Sequence, residues 1–287
     1  MKYCDPPHPD PRKPLFSMPP GTCDAHCHVF GPGNRFPYAR ARKYTPPDAP
    51  KEALKGLHSR MGIDRAVLVQ ASCHGSDNRA MLDAIASSNG AYKGVCIADE
   101  KFTEAEFEAL HRGGVRGVRF NFVRHLGGAP NLGAMKRIVE IVTSLHWHLV
   151  IHVNAGDLIE YEDFFAQFSL PVIIDHMARV PVEQGLDQPA FKILLEFMKR
   201  ENMWVKVCGA ERISATGAPY HDAAPFAEAL CKTAPDRVIW GTDWPHPNVK
   251  VMPDDGDLVD LVPLFAKEPA LQRKVLVDNP ARLYGFE

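Results

Sequence analysis

Residues 65–88 read Arg65-Ala66-Val67-Leu68-Val69-Gln70 and then, past a polar loop, Asn78-Arg79-Ala80-Met81-Leu82-Asp83-Ala84-Ile85-Ala86-Ser87-Ser88. The first run is apolar at consecutive positions, which suits a strand covered on both faces, as in a parallel sheet. In the second, Ala80, Met81, Ala84 and Ile85 recur at the period of an amphipathic helix. Working outward, the same strand–helix unit repeats. A strand over 22–29 and a helix over 51–61 precede it. Strands over 94–97, 117–120, 148–153, 172–175, 203–207 and 238–242 follow, each with a helix after it: 104–112, 132–145, 158–168, 189–200, 224–233 and 269–278. A doubly wound sheet would also alternate in this way. Eight units predict instead a closed α/β barrel, the (β/α)8 TIM fold. The expected organisation is a proline-rich arm over 1–20 and one catalytic barrel over 21–287.

Bulk properties fit that reading. The chain has 287 residues, 45% hydrophobic and 24% charged, with a formal net charge of −2. That length is ordinary for one barrel, and the charge gives no field for binding nucleic acid or an anionic membrane. Seven cysteines stand scattered with no C-x-x-C pair, which argues against a disulfide framework or a zinc knuckle and fits a reducing cytoplasm. The arm has no apolar core of a signal peptide, and no run is long and apolar enough to span a bilayer. A soluble cytoplasmic protein is expected, with its oligomeric state open.

In a barrel, chemistry gathers at the C-terminal ends of the strands. The first strand ends in Asp24-Ala25-His26-Cys27-His28, and residues two apart point to one side, so His26 and His28 are expected inside. The fifth carries His152, the sixth ends in Asp175-His176, and the eighth ends in Gly241-Thr242-Asp243. Taken singly, a histidine at a strand end is most often a hydrogen-bonded core residue. Four histidines and an aspartate converging from four strand ends are a candidate site. His26, His28, His152, His176 and Asp243 are natural Zn²⁺ ligands, and a bound metal would lower the pKa of a water whose proton Asp243 or His176 would accept. His8, His58, His111, His146 and His221 are read as solvated surface, and Cys27 as outward packing.

A basic set accompanies the acid–histidine set. Arg119 points inward by its strand register and needs an anion; Arg124 with His125 follows it, and Arg212 lies past the seventh strand. Guanidinium forks suit carboxylates and sulfonates. Arg116 and Arg179 are read as surface ion-pair partners. Hydroxyl and amide donors lie in the loop 70–78.

Five blocks carry a resemblance: Asp-Ala-His-Cys-His-Val-Phe-Gly-Pro at 24–32, Gln-Ala-Ser-Cys-His-Gly at 70–75, Arg-Phe-Asn-Phe at 119–122, Ile-Asp-His-Met at 174–177 and Trp-Gly-Thr-Asp-Trp-Pro-His-Pro at 240–247. Together they resemble the 2-pyrone-4,6-dicarboxylate lactonases of the amidohydrolase superfamily, from about residue 21 to 284. The resemblance implies that Asp243 activates water against a lactone carbonyl polarised by His26, His28 and His176. It implies that Arg119 and Arg212 hold substrate carboxylates and that Tyr44 and Ser72 line the pocket. It also implies catalysis without a metal.

Two departures bear on this. Arg124-His125 stands where those lactonases carry Lys-Arg, and His152 where they carry tyrosine. Both suit a relative such as the 4-sulfomuconolactone hydrolases, whose substrate is also a small dianionic lactone, and His152 reopens the case for Zn²⁺. The leading expectation is a hydrolase of a small anionic lactone from aromatic-compound degradation. Arg119, Arg124, Arg212, Tyr44, Ser72 and His125 would bind it. The alternatives are a zinc-dependent 4-sulfomuconolactone hydrolase, a metal-dependent decarboxylase of an aromatic acid and a non-catalytic binding barrel.

Overall fold

Apolar strand runs pair in sequence order. The computed structural model describes residues 2–124 and 127–287, so His125 lies outside the described residues. The barrel strands are β2 (Cys23–Cys27), β4 (Arg65–Val69), β5 (Tyr92–Cys96), β6 (Val115–Asn121), β7 (His148–His152), β8 (Val172–Ile174), β9 (Met203–Lys206) and β10 (Val238–Ile239), while β1 (Lys2–Tyr3) and β3 (Tyr44–Thr45) form a separate pair. All neighbours in the eight-stranded sheet are parallel. The ring closes between its first and last strands through Ala25 N donating to Trp240 O at 2.9 Å and Asp243 N to His26 O at 2.7 Å.

Alternation along each strand sorts side chains into two cores. Val67 and Val69 of β4 join Val95, Val150, Ile173 and Ile239 inside the barrel, whereas Ala66 and Leu68 face the helices. The register of β2 shifts between Asp24 and Cys27. Across that bulge Ala25 packs in the inner core and His26 also points inward, while Cys27 packs among the outer residues as expected. Gly241 lets β10 approach this bulge, since a Cβ there would stand 2.5 Å from the His26 nitrogen.

The helices α1 (Lys51–Met61), α2 (Arg79–Ala86), α3 (Glu104–Arg112) and α4 (Leu132–Ser144) follow the expected spans within two residues. Beyond them, the single helix expected over 158–168 is two, α5 (Ala155–Glu160) and α6 (Glu162–Phe165), divided at Tyr161. Next come α7 (Pro189–Phe197), α8 (Ala210–Ile213) and α9 (Ala224–Thr233). After β10, α10 (Asp255–Asp260) and α11 (Val262–Phe265) precede the expected closing segment.

One reading of the histidines is corrected. His58 is buried, on the inner face of α1 with Leu54, Leu57 and Met61. Its ring lies 3.3 Å from Asp24 Oδ2 and 3.1 Å from the Tyr92 hydroxyl. Asp24 also accepts from the Thr242 hydroxyl at 2.6 Å and the Thr242 amide at 3.0 Å, so one buried carboxylate ties the first strand end to the eighth. The proline-rich arm lies along the barrel. Lys2–Tyr3 pairs with Tyr44–Thr45, and the Arg12 guanidinium meets Asp257 and Asp260, each at 2.6 Å.

Candidate active site

The strand ends surround a small cavity lined by His28, Tyr44, Ser72, Arg119, His152, His176, Arg179, Arg212, Asp243 and neighbours. Two loops beneath it hold non-glycine residues in left-handed backbone: His176 (φ 51), Met177 (φ 51), Ala178 (φ 53) and Arg179 (φ 51) after β8, and Asp243 (φ 65), His246 (φ 58) and Asn248 (φ 65) after β10. Each such residue costs roughly 1–2 kcal/mol. Strain of this kind persists only where surrounding contacts enforce it, and it collects at functional sites. Here it turns His176, Arg179 and Asp243 toward the cavity. Gly209 (φ 78) gives these turns room, as a Cβ there would come within 3.0 Å of the His176 ring.

Asp243 is the hub. Its Oδ2 accepts from Arg212 Nε at 2.5 Å, and its Oδ1 lies 3.3 Å from His28 Nε2 and 3.5 Å from His26 Nε2. Burial opposes its ionisation, but the Arg212 guanidinium foremost outweighs burial and holds the carboxyl well below the usual carboxylate range. His176 and His152 are kept neutral chiefly by burial. The Cys208 thiol, pushed up by burial, contacts His176 Nδ1 at 3.2 Å.

A second buried ion group supports the first. Asp175 accepts from Arg119 Nε at 2.9 Å and lies 3.3 Å from Lys206 Nζ and 3.2 Å from His26 Nδ1. Burial, with Lys206 next in weight, lowers His26 to about 3, so its ring is neutral at ordinary pH. Behind Arg212, Glu211 lies 3.3 Å away, and His246 stands between Glu211 and Asp255 at 3.7 and 3.0 Å.

The sequence-predicted residues separate here. His26, His28, His176, Asp243, Arg119, Arg212, Tyr44, Ser72 and His152 come together at this mouth, with His26 beneath its floor. Arg124 does not join them. Its side chain is 80% exposed and faces Asp157 and Glu160. Arg179, expected on the surface, lines the cavity, and among the described residues no carboxylate lies within hydrogen-bond reach of it. Arg116 bonds the carbonyls of His111 and Val115 rather than a carboxylate. Sequence reasoning missed Lys206, Glu211 and the framing role of His246. A lone lysine in the apolar run Met203-Trp204-Val205-Lys206-Val207 was the available signal for the first.

Of the four groupings with metal-ligand spacing among the described residues, two run through His26: His26, His28 and Asp243, and His26, Asp175 and His176; the others are Asp24, Cys27 and His58, and Glu211, Asp243 and His246. In the first, the 3.3 and 3.5 Å separations match the edge of a zinc tetrahedron, about 3.3 Å. His28 Nδ1 donates to Val69 O at 2.7 Å, which leaves a bare Nε2 facing Asp243. His26 differs. Lys206 Nζ lies 3.0 Å from its Nδ1 and has only protons to offer, so that nitrogen accepts and the ring proton sits on Nε2. The donor set therefore fits a metal in spacing but not at His26. His152, the added candidate ligand, stands outside all four groupings, with neither ring nitrogen hydrogen-bonded.

A profile of the family described as amidohydrolase matches residues 23–286, nearly the whole chain. The chain belongs to the amidohydrolase family. The amidohydrolase is 49% identical to a 2-pyrone-4,6-dicarboxylate hydrolase of Comamonas testosteroni, over 97% of this chain and 94% of that one. It is 44% identical to a 4-sulfomuconolactone hydrolase of Rhizobium radiobacter, over 94% and 92%. Its structure superposes on that of an Acinetobacter baumannii protein crystallised with citric acid bound. The TM-score is 0.83 at 26% identity, covering 93% of this chain and 100% of the other.

Proposed function

We propose that this amidohydrolase hydrolyses a small unsaturated lactone carrying two anionic groups, of the 2-pyrone-4,6-dicarboxylate kind. One observation carries the reading: Arg119, Arg179 and Arg212 surround a cavity whose floor holds an ionised Asp243 among histidines. Arg119 and Arg212 have donors to spare beyond their bonds to Asp175 and Asp243, and Arg179 has no carboxylate partner among the described residues, so the three favour a dianion, which they orient for attack. The same preference extends to a ring with one carboxylate and one sulfonate.

Asp243 Oδ1 and the bare Nε2 of His28 face each other across 3.3 Å, and both accept hydrogen bonds. A water placed against the pair gives one hydrogen to each and turns its lone pair to the lactone carbonyl. Asp243 takes the proton as the oxygen adds to the carbonyl carbon. His176 and the arginine side chains stabilise the tetrahedral oxyanion. The ring C–O bond then breaks, the ring oxygen leaves with a proton, and a new carboxylate remains. Each turnover thus releases one net proton near neutral pH. Zinc on His28 and Asp243 would polarise the carbonyl as a Lewis acid, but the proton on His26 opposes its ligation.

Acid release from 2-pyrone-4,6-dicarboxylate and from 4-sulfomuconolactone, followed with and without chelator, tests the reading. Stoichiometric acid from at least one is expected. Carbon dioxide from an aromatic acid, with no lactone opened, would instead indicate a decarboxylase. Binding of both lactones without turnover would indicate a binding barrel.

A further inference from the structure

Lys206 is fully buried inside the barrel at the end of β9, with no route for its side chain to solvent. A charge there requires partners, and Asp175 Oδ1 at 3.3 Å supplies one. Asp175 is already engaged by Arg119 through its other oxygen at 2.9 Å. A further polar neighbour of Lys206 is His26 Nδ1, at 3.0 Å.

Two proton arrangements compete at His26. If Nδ1 carried the proton it would donate to Asp175 Oδ1, 3.2 Å away, and Nε2 would present a lone pair toward Asp243. That pattern, carboxylate–histidine with a bare outer nitrogen, prepares a ring to ligate a metal. If Lys206 donates to Nδ1, the proton sits on Nε2, which lies 3.5 Å from Asp243 Oδ1, near but outside hydrogen-bond geometry. An ammonium has three donors and no acceptor, so its 3.0 Å contact selects the second arrangement. His28, two residues along, is fixed the opposite way by the Val69 carbonyl.

We propose that Lys206 is a positioning residue that fixes the His26 proton on Nε2, so that the His26 N–H dipole faces Oδ1, the Asp243 oxygen that Arg212 does not bond. This rests on Asp243 being the base. Through His26, Lys206 holds the carboxylate in the orientation that leaves its Oδ1 to the water shared with His28. The same proton disfavours metal at His26, so removal of Lys206 opens the site to zinc.

The test is the ¹⁵N spectrum of the imidazoles in the intact protein, with His26 assigned by difference from His26→Gln. The expected result is a protonated Nε2 and a bare Nδ1. In Lys206→Met the proton moves to Nδ1, kcat falls about tenfold with KM unchanged, and added zinc is retained through desalting where the wild type loses it. A wild-type His26 protonated on Nδ1 would overturn the proposal. So would a Lys206→Met protein with the wild-type tautomer. Should Lys206→Met not fold, the wild-type spectrum alone decides. Failure of lactone hydrolysis would reject the reading of Asp243 and leave the tautomer result standing.

Discussion

Arg179 is a mostly buried guanidinium whose proton affinity is lowered first by burial and then by Arg212. Without a carboxylate in reach it pays for desolvation, and an incoming anion relieves that cost. Arg179→Met should therefore raise KM for a dianionic lactone about 10- to 100-fold, the worth of a hydrogen bond to a charged group, with a smaller effect on kcat. Steady-state kinetics check this, and an unchanged KM would remove Arg179 from the binding set. Arg124 provides the contrast. With its side chain 80% exposed and shared between Asp157 and Glu160, its change to alanine should alter KM less than about threefold. Period-two alternation made the inward pair His26 and His28 legible in sequence. Arg179 was not, because its direction depends on four consecutive left-handed residues, none a glycine, that no local pattern announces. Lys206 looked like an ordinary strand residue until its neighbours on two other strands were known.

At the level of elements, the barrel depends on how closely β10 meets the bulged end of β2. A methyl group on Gly241 would meet the His26 nitrogen at 2.5 Å, its Cβ at 2.8 Å and Asp24 Oδ1 at 2.9 Å, none of which is a free side-chain end. Gly241→Ala should cost about 1–3 kcal/mol and lower Tm by several degrees, with kcat falling further as Asp243 shifts. Thermal unfolding reads the first effect; an unchanged Tm would show that the strands can part without loss. The order of strands and helices was readable because each buried run has its own period. Helix ends were less so: nothing around Tyr161 breaks the apolar pattern that joins α5 to α6, and the segment after β10 lacked a strand to mark its units. His58 was misread because its partner Asp24 lies on another element, although Leu54, Leu57 and Met61 share its helix face.

Across the whole molecule, stability should depend on pH in both directions. Burial lowers His26 and His148 to about 3, so these rings fold neutral, and their contribution is lost as pH falls from about 6.5 toward 3. For His246, burial acts downward but Asp255 and Glu211 outweigh it and push it up to about 10. That contribution is full below about 6.5 and is lost as pH rises toward 10. Resistance to denaturant should thus fall toward both limits, and His246→Gln should flatten the alkaline side; an unchanged alkaline slope would exclude His246 as its source. The arm was legible only as proline-rich chain, since its anchors, Asp257 and Asp260, lie some 245 residues away in sequence. No helix among the described residues is long and apolar enough to cross a membrane. All of these features converge on one ionised carboxylate in an arginine-lined mouth. Its role is decided by kcat for 2-pyrone-4,6-dicarboxylate in Asp243→Asn beside the wild type, with circular dichroism confirming equal folding. A loss of about 10²- to 10⁴-fold is expected; turnover within a few-fold of wild type would contradict the assignment of Asp243 as the base.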